Sequence, residues 1–322
     1  MERHQVALYL GAIVAGALIG VGLPRLGPFL AHGINPFLAL LLYVTFLQVP
    51  AKTLLSALRD VRFMTAIVVV NFVVVPLVVA AMFGLLPADD AVRIGVLLVL
   101  LCPCVDYVIV FSGLAGGDSQ RLLAATPVML LLQMALLPLY LMAFLGGDLA
   151  GIVEVRPFIE AFLILIVGPL ALAWLTQWFS ARHDAGRRFT VGVSALMVPL
   201  MMVVLALVVS SQLPTIDDSL RQVAAVVPFY VVFLVVMAAA GIVVSRVARL
   251  GVAARRAVVF SGATRNSLVV LPLALALPAG YELAAAVVVT QTLVEVIGMV
   301  IYVRVIPLLV PDTTAQSRVP RP

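Results

Sequence analysis

Two clusters of polar and sulfur-bearing residues interrupt the apolar tracts of this chain, Leu101-Cys102-Pro103-Cys104-Val105-Asp106 in the first half and Thr264-Arg265-Asn266-Ser267 in the second. Each lies within an apolar segment long enough to cross a bilayer, and each follows a basic residue. Arg93 precedes Cys104 by 11 positions, and Arg255 precedes Asn266 by 11. Charges and proline at membrane depth are costly and are kept where something binds or passes. The chemistry on offer is specific. A cysteine thiolate is a soft donor suited to a thiophilic solute. Arg265 cannot lose its proton, so it needs a carboxylate or an anionic ligand, and Glu295 and Asp106 are the acids away from the span ends.

Glu295 stands inside the apolar run Val287 to Gly298, where helical spacing puts Gln291 and Thr292 on its face. An acid at that depth reads as a substrate, ion or proton site. The plainer reading is a carboxylate buried against Arg265 for structure alone. Cys104, Glu295, Asn266 and Arg265 are the candidate substrate-binding residues. Asp106, Gln291, Thr292, Gln133 and Ser267 are candidates for lining the cavity or coupling transport to an ion. Cys102 and Cys104 are the only cysteines. They offer no disulfide framework beyond a strained adjacent pair, and no histidine accompanies them to make a zinc site. A lone membrane cysteine is usually a small apolar filler, but flanking a proline beside Asp106 favours a place on a cavity wall. The chain has no phosphate-binding loop, nucleophile elbow or zinc-protease helix, so no cofactor and no enzymatic step are expected.

The elements that position these residues follow from composition. The chain is 64% hydrophobic and 11% charged, with mean hydropathy +1.22, far from a soluble domain. Apolar runs of about 20 residues give ten spans, at 6–23, 34–50, 63–86, 94–115, 122–145, 158–179, 190–211, 223–244, 257–277 and 283–306. This predicts an all-α polytopic membrane protein with a single transmembrane domain over 1–310 and a disordered cytoplasmic tail over 311–322. The charged start followed by an apolar run from Val6 mimics a signal peptide; nothing downstream resembles a soluble mature protein, so the run is read as the first span.

Basic residues orient the chain. With ten spans, the side holding both termini carries most of the lysine and arginine, among them Lys52, Arg59, Arg121, Arg187, Arg188, Arg255 and Arg256. The opposite loops hold only Arg25, Arg93, Arg156 and Arg221. Both termini are therefore expected in the cytoplasm, in a cell-membrane protein. The net charge of +5 points to anionic lipid rather than nucleic acid. Five spans per half force the second half into the opposite orientation, an inverted repeat of about 6–145 and 158–306. The order of features repeats as well: interruption, glycine-bearing loop with an acid, then a span with a polar residue. In half one these are Cys102 to Asp106, Gly116-Gly117-Asp118 and Gln133; in half two, Arg265 to Ser267, Gly280-Tyr281-Glu282 and Glu295. Spans four and nine should be discontinuous helices crossing near mid-membrane, the arrangement of a secondary transporter whose site lies at the repeat interface.

Pro103-Cys104 followed by Phe111-Ser112-Gly113-Leu114-Ala115-Gly116-Gly117-Asp118 resembles the fourth span of the arsenical-resistance efflux family, within the bile acid/sodium symporter superfamily. Ala263-Thr264-Arg265-Asn266-Ser267 resembles its ninth span and Leu293-Val294-Glu295-Val296 its tenth. The resemblance implies export of trivalent arsenite or antimonite, coupled to ions or protons, with Cys104 in the place of the essential cysteine and Glu295 in that of the tenth-span glutamate. The fifth span departs from the family by reading Leu122-Leu123-Ala124-Ala125-Thr126-Pro127, and Asp106 and Cys102 are additions. The sodium-coupled organic-anion symporters of the same superfamily are the alternative that the resemblance leaves open. Asn266, Gln291 and Glu295 would serve there, whereas the fixed charge of Arg265 disfavours an unmodified sodium site.

Overall fold

The computed structural model describes residues 5–47, 60–105, 107–146, 163–212, 220–278 and 280–312. Asp106 and nearly all of the 311–322 tail lie outside them. The described chain is helical, with α1 Gln5–Gly22, α2 Gly27–Leu47, α3 Val61–Phe83, α4 Asp90–Leu100, α5 Tyr107–Leu114, α6 Ser119–Leu145, α7 Gly168–Ser180, α8 Asp184–Ser194, α9 Met197–Gln212, α10 Leu220–Val247, α11 Val252–Ala263, α12 Ser267–Leu275 and α13 Leu283–Leu309. The described parts of the expected spans are mainly helical. Five helical stretches are long and apolar enough to cross a membrane by length and composition: Val61–Phe83, Ser119–Leu145, Arg188–Ser211, Arg221–Val247 and Leu283–Leu309.

Two segments are broken where the polar clusters fall. The fourth apolar segment divides into α4 and α5, with Leu101 to Val105 outside both helices, and the ninth into α11 and α12 around Thr264 to Asn266. Pro272 lies inside α12, so the second break precedes it. α11 ends at Ala263, and Asn266 caps α12, its Oδ1 accepting from Val269 N at 3.3 Å. Asp60, Asp89 and Asp118 do the same for α3, α4 and α6.

The helices sort into two groups. α1, α2, α7, α8 and α9 pack on one another, while α3 to α6 and α10 to α13 form the group holding both breaks. The groups meet chiefly where α9 touches α13 and α2 touches α12. Within the second group α4 lies close on α13. Gly95 permits the approach, since a Cβ there would stand 2.8 Å from Ala284 O.

One end of this group is laced together. Arg256, at the start of α11, donates from Nε and Nη2 to Val310 O (3.1 and 2.9 Å), just past α13, and from Nη1 to Ala115 O (3.1 Å), just past α5. Both carbonyls lie at helix C-termini, where acceptors are left over. Asp118 N donates to Ala253 O at 3.0 Å, and Arg121 joins Asp118 to Asp60 at the start of α3 (3.1 and 3.0 Å). The starts of α3, α6 and α11 and the ends of α5 and α13 therefore share one end of the bundle.

Candidate functional site

The two breaks meet backbone to backbone. Pro103 and Arg265 form an antiparallel bridge, flanked by Asn266 N donating to Cys102 O at 2.7 Å and Cys104 N donating to Thr264 O at 3.1 Å. This exchange satisfies main-chain groups that the interrupted helices would leave bare in an apolar interior. The expected meeting of spans four and nine is thus a short strand pair between four helix ends. Cys102 and Cys104 are both buried and free of disulfide.

Arg265 has no exposed surface, 0% by relative area. Its Nη1 donates to Leu100 O at 3.1 Å, and its Nη2 faces Asn71 Oδ1 (2.8 Å), Ser261 O (2.9 Å) and Gly262 O (2.8 Å). The guanidinium lies 5.5 Å from the centre of the Phe233 ring, a cation–π distance. Of the two acids expected as its partner, Glu295 forms no ion pair with the guanidinium, and Asp106 lies outside the described residues. Among the described residues the guanidinium forms no salt bridge with a carboxylate. Glu295 reaches Arg265 through the main chain instead, its Oε2 accepting from Arg265 N at 2.8 Å. The side chain of Arg265 turns the other way, toward the ends of α4 and α11.

Glu295 is 1% exposed and collects three donors. Besides Arg265 N, Gln291 Nε2 bonds Oε2 one helical turn below, and the Tyr107 hydroxyl bonds Oε1. That hydroxyl also lies 3.1 Å from Arg265 O, so its single proton has two acceptors in reach. Three neutral donors converging on one carboxylate stabilise it without a formal counter-charge.

Several buried polar atoms around this centre have no hydrogen-bond partner among the described residues: Asn266 Nδ2, Ser267 Oγ, Gln291 Oε1 and Arg265 Nε. Unmet polar atoms are rare in protein interiors, and here four of them fall on adjoining residues. A cavity of about 20 Å³ lies between Ser267, Leu271 and Thr292 on one side and Ile13, Leu205 and Val208 on the other. It sits on the seam between the two helix groups and is large enough for a water molecule.

Arg265, Asn266, Ser267, Gln291 and Glu295 thus assemble around the paired breaks, with Thr292 on the seam. Gln133 does not join them through any hydrogen bond; it is buried in α6 with both amide atoms unpartnered among the described residues. Two contributors were not singled out from the sequence. Tyr107 is hidden inside the apolar run Tyr107-Val108-Ile109-Val110, although its place beside the first cluster was a signal. Asn71 is the second, a lone amide in the apolar run of α3. The structure puts it in a π-helical turn, Val70–Val74, inside α3. Pro76 has no N–H for Phe72 O, and the Tyr140 hydroxyl supplies the missing donor at 2.6 Å. The wide turn holds Asn71 against Ser261 Oγ (2.9 Å) and the Arg265 guanidinium, in keeping with the frequent functional use of π-bulges.

Broken helices, a fully buried arginine, a carboxylate held by neutral donors and a seam between two helix groups thus come together in one place. No curated protein matches the chain. The model of one protein family matches residues 12–305, nearly the whole sequence, and the chain belongs to that family, the SBF-like CPA transporter family.

Proposed function

We propose that the chain is a secondary transporter in which a small solute is held at the paired breaks and passed along the seam between the two helix groups. The observation that carries this reading is the set of unpartnered buried atoms on Asn266, Ser267 and Gln291 beside the antiparallel bridge. Counting α4 with α5, α8 with α9 and α11 with α12 as one crossing each gives ten crossings, which we read as two inverted halves. The shared bundle end of α3, α5, α6, α11 and α13 agrees with that parity. The arginine bias then puts both termini in the cytoplasm of a cell-membrane protein.

For the substrate we favour a trivalent metalloid, arsenite or antimonite, moved outward. Cys104 supports it, as a buried cysteine whose own N–H is tied into the crossing. A single thiolate allows capture and release, where three would hold the ion too tightly for turnover. Glu295 and Gln291 would couple release to a proton or ion. An organic anion is the second reading, favoured by the free amide donor of Asn266 at the start of α12, where the helix dipole also attracts negative charge.

Survival of an arsenic-sensitive host on arsenite tests the choice, with each variant at equal membrane level. The parent chain should confer resistance, Cys104→Ser should abolish it, and Cys102→Ser should retain most of it. A parent without effect, or a Cys104→Ser variant that protects as well, removes the metalloid and leaves the organic anion. Counterflow of labelled solute in vesicles then tests transport itself.

A further inference from the structure

The surroundings of the Arg265 guanidinium do not match its hydrogen-bonding needs. Nη2 carries two hydrogens, yet three oxygens lie within 2.9 Å of it, Asn71 Oδ1, Ser261 O and Gly262 O. Leu100 O adds a fourth oxygen at Nη1, while Nε has no partner among the described residues. Acceptors crowd one nitrogen, and a donor on the same group goes unused. A planar fork selected for hydrogen bonding would be matched the other way, donor by donor. Converging oxygens of this kind are how proteins hold a dehydrated alkali cation.

The source of the oxygens sharpens the point. Leu100 ends α4, and Ser261 and Gly262 belong to the last turn of α11. Two helix C-termini, each with surplus carbonyls and the negative end of its dipole, point at one spot. Asn71 adds an amide oxygen from the π-helical turn of α3. Gly262 lets that turn approach, because a Cβ on it would collide with Val70. Three separate elements therefore build a negative focus whose contacting oxygens are all carbonyl or amide, and a positive charge fills it.

We propose that the Arg265 guanidinium is a resident cation filling an alkali-cation site made by the ends of α4 and α11 and by Asn71. The carrier therefore works without sodium at the crossing, and removing the side chain uncovers a site for a monovalent cation. The first consequence rests on the transporter reading above. The second concerns the cage alone.

The test is a melting measurement on the purified full chain in lipid nanodiscs, in sodium chloride or choline chloride of equal ionic strength. The parent should melt at the same temperature in both. Arg265→Ala should melt lower in choline chloride and recover in a saturable way with sodium or with millimolar guanidinium, either of which puts a cation back among the oxygens. Retention of labelled sodium should rise above the choline control in the variant only. Saturable sodium stabilisation of the parent would overturn the proposal, as would a folded variant with the parent's indifference to both ions. A variant that folds only when sodium or guanidinium is supplied supports it, and one that neither ion restores counts against it. These are binding measurements, so they stay readable even if no carried solute is found; a failed counterflow experiment with an intact sodium result would remove the transporter reading and leave the cage standing.

Discussion

The two breaks are alike in position and unlike in substance. Before each, an arginine folds back on the loop preceding its helix: Arg93 Nε donates to Pro87 O at 3.1 Å, and Arg255 Nε to Leu250 O at 2.7 Å. After that the two diverge. The first break is the longer, and its described residues give the crossing mainly main-chain groups and two thiols. The second is short, and it concentrates the electrostatics. Arg265 gives its N–H to Glu295 and its guanidinium to the oxygens behind it, while Asn266 pairs with Cys102 and caps α12. One break acts as a frame of acceptors and the other carries the charge. Among the described residues, matching positions in the two broken segments do not bring matching chemistry, and the charge lies at the second break.

Substitutions at the charged break should therefore cost most. Arg265→Leu leaves four oxygens without their donor and should lower stability by about 3–5 kcal/mol, read as a fall in the melting temperature in choline chloride. A variant as stable as the parent would end the contrast between the breaks. Asn71→Leu removes one oxygen of the cage and the bond to Ser261, and about 1–3 kcal/mol should be lost. Glu295→Gln is nearly isosteric, and its remaining oxygen can still take Arg265 N, so the melting temperature should fall by the equivalent of about 1 kcal/mol. Transport should fall by about tenfold or more, because the carboxylate's charge and proton are gone. Full transport in that variant would reduce Glu295 to a structural group.

At the first break the effects should be smaller. Cys102→Ala keeps the main-chain carbonyl that Asn266 uses and removes only a buried sulfur, about 1 kcal/mol of stability. A loss as large as that of Arg265→Leu would show that this break carries side-chain energetics too. The smallest effect is expected outside the bundle. Glu282 accepts from Gly280 N at 3.0 Å, which holds its carboxyl below the usual range. A depressed folded-state pKa gives stability that is present above the unfolded pKa and disappears as the pH falls through the folded one. The group is largely exposed, so Glu282→Gln should cost at most about 0.5 kcal/mol at neutral pH, and the difference from the parent should close on acidification.

Much of this was legible in the sequence because membranes make polarity conspicuous. Arg265, Glu295 and the cysteine cluster stood out against their apolar runs, and the breaks fell where those clusters were. What escaped was direction. Charge counting offered Glu295 or Asp106 to Arg265, but Arg265 sits in a bridge whose N–H and side chain face different neighbours, so the Glu295 carboxylate met the main chain. Tyr107 escaped because a tyrosine in an apolar run reads as filling until its hydroxyl finds a partner. Asn71 escaped because a π-turn is set by where α3 packs against α11, which no local pattern in α3 announces. The metalloid reading of Cys104 rests on its residue type, its place at the crossing and the resemblance of the fourth span, and the survival experiment decides it.

The backbone pairing between the breaks also has a temporal side. The chain emerges from the ribosome N-terminus first, so Cys102 and Cys104 enter the bilayer half a chain ahead of Thr264 and Asn266. Until α11 and α12 arrive, the Cys102 carbonyl and the Cys104 N–H have none of their final partners, in a solvent that supplies none. Insertion of the first half must therefore wait in an unfinished state, shielded by the translocation machinery or by lipid headgroups, and the last helices made are the ones that close it.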